Sequence, residues 1–303
     1  METQAAFRRR KLSAVMKDML KFAVIGHPIG HTMSPFIHGE LFRLSGLEAS
    51  YTSVDVPDIA ESEKQLRELD GFNVTIPHKR DIISILDELD EKAEMFGSVN
   101  TVLNNGGRLC GYTTDGEGCI AALENHGCKS TGKILICGNG GAARAIASEI
   151  CLKSSGSSAA ELTIAVREES IAKAEELISS LKNINPDALL SVCVYSDLES
   201  GSEKYDLLIN TTSVGMYPKA GKSVVSSAVI GRCAAVFDCV YNPGETELLK
   251  IAAACGKKVI PGIEMLVYQA AAAHRYWYGA KFRNEDIKKL CAAAQRETER
   301  VFS

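Results

Sequence analysis

The 303-residue chain lacks most of the features that would place it outside the ordinary globular enzymes. It has no Cys-x-x-Cys pair and no His/Cys cluster at zinc-like spacing, although it carries ten cysteines. They stand at Cys110, Cys119, Cys128, Cys137, Cys151, Cys193, Cys233, Cys239, Cys255 and Cys291. Cys137 in KILIC and Cys239 in VFDCV lie within apolar runs, where a thiol packs as a small hydrophobe. Reduced thiols in a cytoplasmic protein are the expectation, and no metal site. Positive charge is not in excess: Lys+Arg 34 against Asp+Glu 38 leaves a net charge of -4. That excludes the global electrostatic footprint of a nucleic-acid binder. No uncharged apolar stretch reaches the roughly eighteen residues a bilayer span requires, so no membrane partner is expected. Internal repeats and low-complexity tracts are also missing.

Residues 1–20 read as a leader outside the folded chain. Arg8, Arg9, Arg10 and Lys11 imitate a transit peptide, but Glu2 and Asp18 count against one, and no apolar run fits a secretion signal.

At 46% apolar and 24% charged, a chain of this length has material for two domains with sizeable cores. Strands and helices alternate through both halves, which predicts an α/β layer architecture. In the first half, Phe22–Ile25 ends at Gly26 as a buried strand before a turn. Pro35 to about Leu44 reads as a helix with Ser34 as N-cap and Pro35 at its first position. Strands follow at Tyr51–Val56 and Phe72–Ile76, and helices at Ala60–Leu69 and Asp81–Leu89. Val99–Leu103 and Leu109–Tyr112 read as a hairpin around Asn105-Gly106-Gly107.

The second half opens with a helix over Glu117–His126, stopped by Gly127. Strand and helix then alternate: Lys133–Cys137, Gly141–Cys151, Leu162–Val166 and Ser170–Leu181. Further strands are expected at Leu190–Tyr195, Leu207–Asn210, Ala235–Cys239 and Lys258–Ile260. Continuous apolar strands between helices predict a parallel sheet covered on both faces. Met265–Tyr278 and Glu285–Val301 close the chain as helices. Lys153–Ala160 is a short flexible connection.

The sharpest local signal is Gly138-Asn139-Gly140-Gly141-Ala142-Ala143-Arg144, between the strand KILIC and a helix. Glycines there allow a tight turn and close approach of backbone N–H groups to a diphosphate, at the positive end of the helix. A tight strand-to-helix turn uses glycine in any case, so the strand LTIAV that follows matters to the nucleotide reading. Its end, Val166-Arg167-Glu168-Glu169, should meet the adenine ribose. An acidic residue there favours NAD and a basic one NADP. This sequence offers both, and the glutamates also suit a solvated helix start.

A second set of polar residues lies at strand ends. Asn73 and Thr75 are two apart on one strand face, Pro77 ends that strand, and Lys79 follows. Asn100 stands in Ser98-Val99-Asn100-Thr101, and Asp115 in Thr113-Thr114-Asp115-Gly116 at the junction of the halves. Thr32 and Ser34 flank Met33. Hydroxyls, amides, one amine and one carboxylate are the inventory a small polyhydroxylated acid requires. Each alone also fits a plainer role: Ser34 or Asp115 as a helix cap, Asn100 as a turn residue, Lys79 as a surface amine.

Taken in order, these motifs resemble the shikimate dehydrogenase family, which includes quinate/shikimate dehydrogenases. The resemblance runs from about Phe22 to about Trp277. The family's S-x-S-P appears as Thr32-Met33-Ser34-Pro35, and N-V-T-x-P-x-K as Asn73 to Lys79. G-x-V-N-T is Gly97 to Thr101, and N-T-D-G is Thr113 to Gly116. G-x-G-G-A-x-R is Gly138 to Arg144, and N-x-T-x-x-G-M is Asn210 to Met216. Y-x-P is Tyr241-Asn242-Pro243, and G-x-x-M-L-x-x-Q-A is Gly262 to Ala270.

The resemblance implies an N-terminal α/β substrate domain over 20–116, completed by helices in 263–303. It implies a Rossmann-like nucleotide-binding domain over 117–262, with a cleft between the two. The implied reaction is reversible NAD(P)H-dependent reduction of 3-dehydroshikimate to shikimate, by a monomer or homodimer. Thr32, Ser34 and Tyr241 would hold the substrate carboxylate, and Asn100, Thr75 and Gln269 the spectator hydroxyls. Lys79 and Asp115 would flank the reacting hydroxyl and act as the catalytic pair. A lysine beside a carboxylate keeps its charge, so Lys79 can stabilise a developing alkoxide while Asp115 shares the proton work. The division between them is left open. Gly138, Asn139, Gly140, Gly141, Ala142, Arg167, Cys239 and Gly262 would hold the cofactor, NADP(H) by resemblance.

The sequence departs from the family pattern at three places. Thr32 replaces a serine and adds a methyl near the C1 end, where quinate and shikimate differ. Thr113 replaces an asparagine. The NADP-reading N-R-T-x-x-R stretch is Val166 to Ile171 and keeps only Arg167, so NAD(H) stays open through Glu168 and Glu169. Three alternatives therefore remain: an NAD-linked quinate dehydrogenase, a non-catalytic sensor of the same ligands, and another dehydrogenase on a similar two-domain plan.

Overall fold

The computed structural model describes residues 19–30, 32–155 and 160–302. The leader expected over residues 1–20 falls almost wholly outside them, as does the centre of the connection expected at 153–160. The chain divides into two compact units. The first comprises the residues up to Thr114 together with Gln269–Leu290, and the second Asp115–Tyr268 with the stretch from Cys291 on.

The first unit begins with β1 (Leu20–Gly26), α1 (Ser34–Ser45), β2 (Ala49–Asp55), α2 (Ile59–Leu66) and β3 (Gly71–Val74). It continues with β4 (Glu88–Leu89), α3 (Glu91–Phe96), β5 (Thr101–Asn105) and β6 (Arg108–Tyr112). Its six-stranded sheet has the order β2-β1-β3-β5-β6-β4. β1 pairs in parallel with β2 and β3, and β5 runs antiparallel to β3 and β6. Alternation along β1 sends Ala23 and Ile25 into one core with Phe72 and Val74, and Phe22 into another with Phe42 and Trp277. The hairpin forms as expected, with Asn105 opposite Arg108 across Gly106-Gly107.

Three expectations here need correction. Ser34 is not the N-cap of α1: Met33 holds that position and no side chain caps the helix. The helix expected over Asp81–Leu89 is a short 3-10 segment, Asp81–Ile85, followed by β4. Tertiary pairing overrides the helical spacing, because the Asp87 N–H donates to the Leu109 carbonyl at 2.9 Å and Glu88 pairs with Cys110. β3 ends at Val74, so Thr75 lies past the strand, where its N–H still donates to the Ile25 carbonyl at 2.9 Å.

The second unit runs α4 (Asp115–Asn125), β7 (Lys133–Cys137), α5 (Gly141–Ser154), β8 (Glu161–Val166), α6 (Ile171–Ile184) and β9 (Leu189–Val194). Then follow α7 (Tyr195–Ser200), β10 (Tyr205–Asn210), α8 (Ser227–Gly231), β11 (Cys233–Asp238), α9 (Glu247–Ala254) and β12 (Lys258–Pro261). α10 (Gly262–Tyr278) and α11 (Asn284–Phe302) end the chain. The short helices α3, α7, α8 and α9 were not expected.

The second sheet has the order β12-β11-β10-β7-β8-β9, and every pairing in it is parallel. Numbered from β7, this is the 3-2-1-4-5-6 order of the dinucleotide-binding fold, with its switch point between β7 and β10. Ile134 and Ile136 enter one core while Leu135 and Cys137 enter the other. Both faces are buried, which explains the unbroken apolar run of KILIC.

Candidate active site

In the first unit, candidate groups are joined by one hydrogen-bonded network. The Thr32 hydroxyl donates to Ser34 Oγ at 3.1 Å and accepts from the Ser34 N–H at 3.2 Å. The Ser34 hydroxyl also bonds Tyr51, whose phenol donates to Asn73 Oδ1 at 2.7 Å. Asn73 Nδ2 in turn donates to the Asn100 carbonyl and to Thr101 Oγ1, both at 3.1 Å. Asn73 therefore braces β3 against β5. Burial pushes the Tyr51 phenol well above its usual range and keeps it a neutral donor.

Asn100 is buried at the start of β5. Its Oδ1 accepts from the Thr114 N–H at 2.8 Å, and its Nδ2 donates to Gln269 Oε1 at 2.8 Å. Two residues 169 positions apart are thus joined amide to amide. Lys79 is half-buried in the turn after Pro77, and its carbonyl accepts from the Val99 N–H at 2.8 Å. The lysine backbone is consequently pinned next to Asn100. Thr75 is half-buried beside this turn. Thr32, Ser34, Thr75, Lys79, Asn100 and Gln269 all belong to this unit.

The first unit also buries a histidine pair that sequence reasoning missed. His38 on α1 and His274 on α10 approach at 2.9 Å between Nδ1 and Nε2, and His274 Nδ1 contacts the Tyr278 hydroxyl. Desolvation lowers His38 to about 3 and holds His274 well below its usual value, so both rings are neutral. No local pattern marks the pair, because its members stand 236 positions apart in the chain.

Asp115 opens α4 and is 1% exposed. It belongs to the second unit, as do Tyr241 and the glycine turn. At that turn Gly138 has φ +104, in the left-handed region, and a Cβ there would stand 2.9 Å from Thr211 Oγ1 and from Thr212 Cγ2. Only glycine fits. Gly140 precedes α5 with no side-chain cap, and nothing lies within 4 Å of where its Cβ would be. The N-cap of this fourteen-residue helix is a glycine, so its own side chain offers the first N–H groups no acceptor. That arrangement suits a diphosphate.

Gly141 and Ala142 open this helix, and Asn139 is tied by its Nδ2 to the Ser170 carbonyl at 3.2 Å. Arg167 follows β8, exposed, with its Nε 3.1 Å from Glu169 Oε1. Glu168 begins the 3-10 segment beside it. Cys239 lies past the end of β11, and Gly262 starts α10 against its backbone. The strand expected to include Cys239 stops at Asp238.

All ten cysteines are free thiols. Among the described residues no group of His, Cys, Asp and Glu could hold a metal ion, and no helix is long and apolar enough to cross a membrane.

Residues 24–102 match the family model of the shikimate dehydrogenase substrate binding domain. A shikimate dehydrogenase (NADP(+)) of Shouchella clausii is 38% identical over 277 residues, covering 89% of this chain and 97% of its own. A crystal structure of shikimate 5-dehydrogenase from Thermus thermophilus, in complex with NADP(H) and shikimate, superposes with a TM-score of 0.78 at 32% identity. It covers 91% of this chain and 100% of that one. The Listeria monocytogenes shikimate 5-dehydrogenase, in complex with shikimate and NAD, also gives 0.78 at 32% identity, covering 91% and 98%. With a relative 38% identical over 89% of this chain and solved structures superposing on 91% of it, the chain belongs to the shikimate dehydrogenase family.

Proposed function

We propose that this protein is a shikimate dehydrogenase, an NAD(P)-dependent oxidoreductase that reversibly reduces 3-dehydroshikimate to shikimate. Aromatic amino-acid biosynthesis is then its pathway and the cytoplasm its compartment, as a monomer or homodimer. The observation that carries the reading is the match, over 97% of its length, to a relative bearing that name. Most substrate contacts fall to the first unit, the residues up to Thr114 with Gln269–Leu290, and the nucleotide to the second, Asp115–Tyr268 with the stretch from Cys291 on, rather than to 20–116 with 263–303 and 117–262.

The glycine turn from Gly138 to Ala142 receives the cofactor diphosphate, Arg167 its ribose end, and Cys239 and Gly262 its nicotinamide half. When bound, the nicotinamide supplies the hydride donor and acceptor. The remaining work falls to side chains of this chain. Thr32, Ser34 and Tyr241 donate hydrogen bonds to the substrate carboxylate, the hydroxyls of Thr32 and Ser34 rotating to it from the bonds they make to Ser34 and Tyr51. Asn100, already bonded to Gln269, orients the ring hydroxyls together with Thr75. Lys79 donates to the reacting oxygen and stabilises negative charge developing there, and Asp115 shares its proton.

NADP is the cofactor of the relatives by name. The ion pair between Arg167 and Glu169 supports a second capacity, for NAD, because it engages the arginine that the family motif would offer a 2′-phosphate. Initial rates with shikimate and quinate, each with NADP and NAD, test both points. Shikimate oxidation with NADP is expected. Quinate turnover without shikimate activity would overturn the assignment.

A further inference from the structure

Tyr241 lies in the loop after β11, and that loop is pinned on both sides of it. The Cys239 N–H donates to the Asn210 carbonyl at 2.9 Å, and the Asn242 carbonyl accepts from the Tyr217 N–H at 2.9 Å. The remaining restraints converge on one carboxylate. Asp238, the last residue of β11, is wholly buried. Its Oδ1 accepts from Asn210 Nδ2 at 2.8 Å and from the Val240 N–H at 3.0 Å. Its Oδ2 accepts from the Thr246 hydroxyl at 2.6 Å.

Each donor ties down a different piece of chain. Asn210 ends β10, directly opposite Asp238 in the sheet, and its Oδ1 holds the Thr212 N–H at 3.0 Å and hydroxyl at 2.7 Å. Val240 immediately precedes Tyr241. Thr246 is the N-cap of α9. Gly262 closes the arrangement from α10, since a Cβ there would stand 2.7 Å from the Cys239 carbonyl oxygen. A buried carboxylate with three donors is expensive to build and rigid once built.

We infer that Asp238 is a positioning residue for substrate binding, setting the loop from Cys239 to Thr246 so that the Tyr241 phenol meets the substrate carboxylate. The inference rests on the substrate role proposed for Tyr241. It assigns Asp238 no contact with substrate and no part in proton transfer.

The test is a double-mutant cycle on the purified enzyme with Asp238→Asn and Tyr241→Phe, reading KM for shikimate and kcat separately. Asp238→Asn is expected to raise KM for shikimate about tenfold with kcat changed less than about threefold. In the Tyr241→Phe background the same change should add little. Independent, multiplying effects on KM would overturn the inference, as would a loss confined to kcat. If Tyr241→Phe leaves KM unchanged while Asp238→Asn raises it, the Tyr241 reading fails and the inference with it. If Tyr241→Phe raises KM and Asp238→Asn does not, the inference alone fails.

Thr246→Val keeps the question decidable if Asp238→Asn does not fold, because it removes one donor and leaves the carboxylate. It should raise KM in the same direction, and Thr246→Ser, which keeps the hydroxyl, should restore it. A KM for Thr246→Val equal to wild type would count against the inference.

Discussion

Among the described residues every buried carboxylate lies in the second unit, at Asp115, Glu149 and Asp238, whereas the first unit buries amides, hydroxyls and histidines. The first unit joins its candidate groups through Tyr51, Asn73, Thr101 and Asn100, none of them charged. The second gathers three donors on Asp238. Neutral networks cost little to desolvate and suit a surface that must offer both donors and acceptors to hydroxyls. A buried carboxylate costs more but can order several donors from separate loops at once.

The sharpest way to break this comparison is to remove one charged group from each unit. Lys79→Ala and Asp115→Ala should each lower turnover of shikimate by at least about tenfold, and by as much as the roughly 10²–10⁴ typical of proton-transfer groups. Steady-state kcat with saturating shikimate and NADP measures it. If one variant turns over normally, the chemistry belongs to the other unit's group.

Acid sharpens the comparison next, because the two networks respond with opposite sign. His38 is lowered from 6.5 to about 3 by burial, so protons bind the unfolded chain first as pH falls. Its contribution is present above about pH 6.5 and is lost below, by about 2–3 kcal/mol on going to about pH 4.5. Asp238 is raised from 3.8 to about 6 by burial, its three donors only partly opposing the shift. Its contribution is greatest below about pH 4 and is lost as pH rises through about 6. The two partly cancel between these limits. Asp238→Asn should therefore steepen the loss of stability on acidification, and His274→Phe, which removes the partner ring, should flatten it. Urea unfolding at about pH 6.5 and about pH 4.5 reads both. A steeper loss in His274→Phe would contradict the neutral pair.

Gly138→Ala is the next smaller perturbation. A Cβ at φ +104 and 2.9 Å from Thr211 Oγ1 should cost about 1–2 kcal/mol of stability and weaken nucleotide binding. Thermal melting with and without NADP should show a lower melting temperature and a smaller stabilisation by the nucleotide. An undiminished ligand shift would mean the turn does not carry the diphosphate.

The second unit was the more legible in the sequence, for a physical reason. A parallel sheet buried on both faces writes continuous apolar runs, and KILIC, LTIAV and LLIN emerged within β7, β8 and β10. Its short helices α7 and α8, of six and five residues, carry too few turns to show a period. In the first unit the motif residues were visible but their connections were not. Tyr51 meets Asn73 only through the register of β1 with β2 and β3, which no local pattern reveals. Ile82, Ile83, Ile85 and Leu86 have helical spacing, yet pairing of Glu88 and Leu89 with β6 ends the turn at Ile85. Asp238 did leave a trace, a carboxylate within the apolar VFDCV. Its partner Asn210 is a matter of strand register, however, and Thr246 lies across a loop.

The smallest effect belongs to Glu169, and it bears on cofactor choice rather than on the fold. Its pairing with Arg167 joins two side chains that are 64% and 74% exposed, so the pair is weak and easily exchanged for another anion. If Arg167 meets the cofactor ribose as proposed, a 2′-phosphate must displace that carboxylate and then sit near its charge, whereas a 2′-hydroxyl need not. Glu169→Gln removes the competitor and keeps the shape. It should tighten NADP relative to NAD by about two- to fivefold, the scale of one exposed ion pair. Fluorescence titration of each nucleotide gives the ratio of dissociation constants directly. Raising the salt should shrink the difference between wild type and variant, because screening weakens an exposed pair first. A ratio unmoved by the substitution at low salt would mean that Arg167 reaches the ribose without contest, and that the residual NAD capacity lies with Glu168 alone.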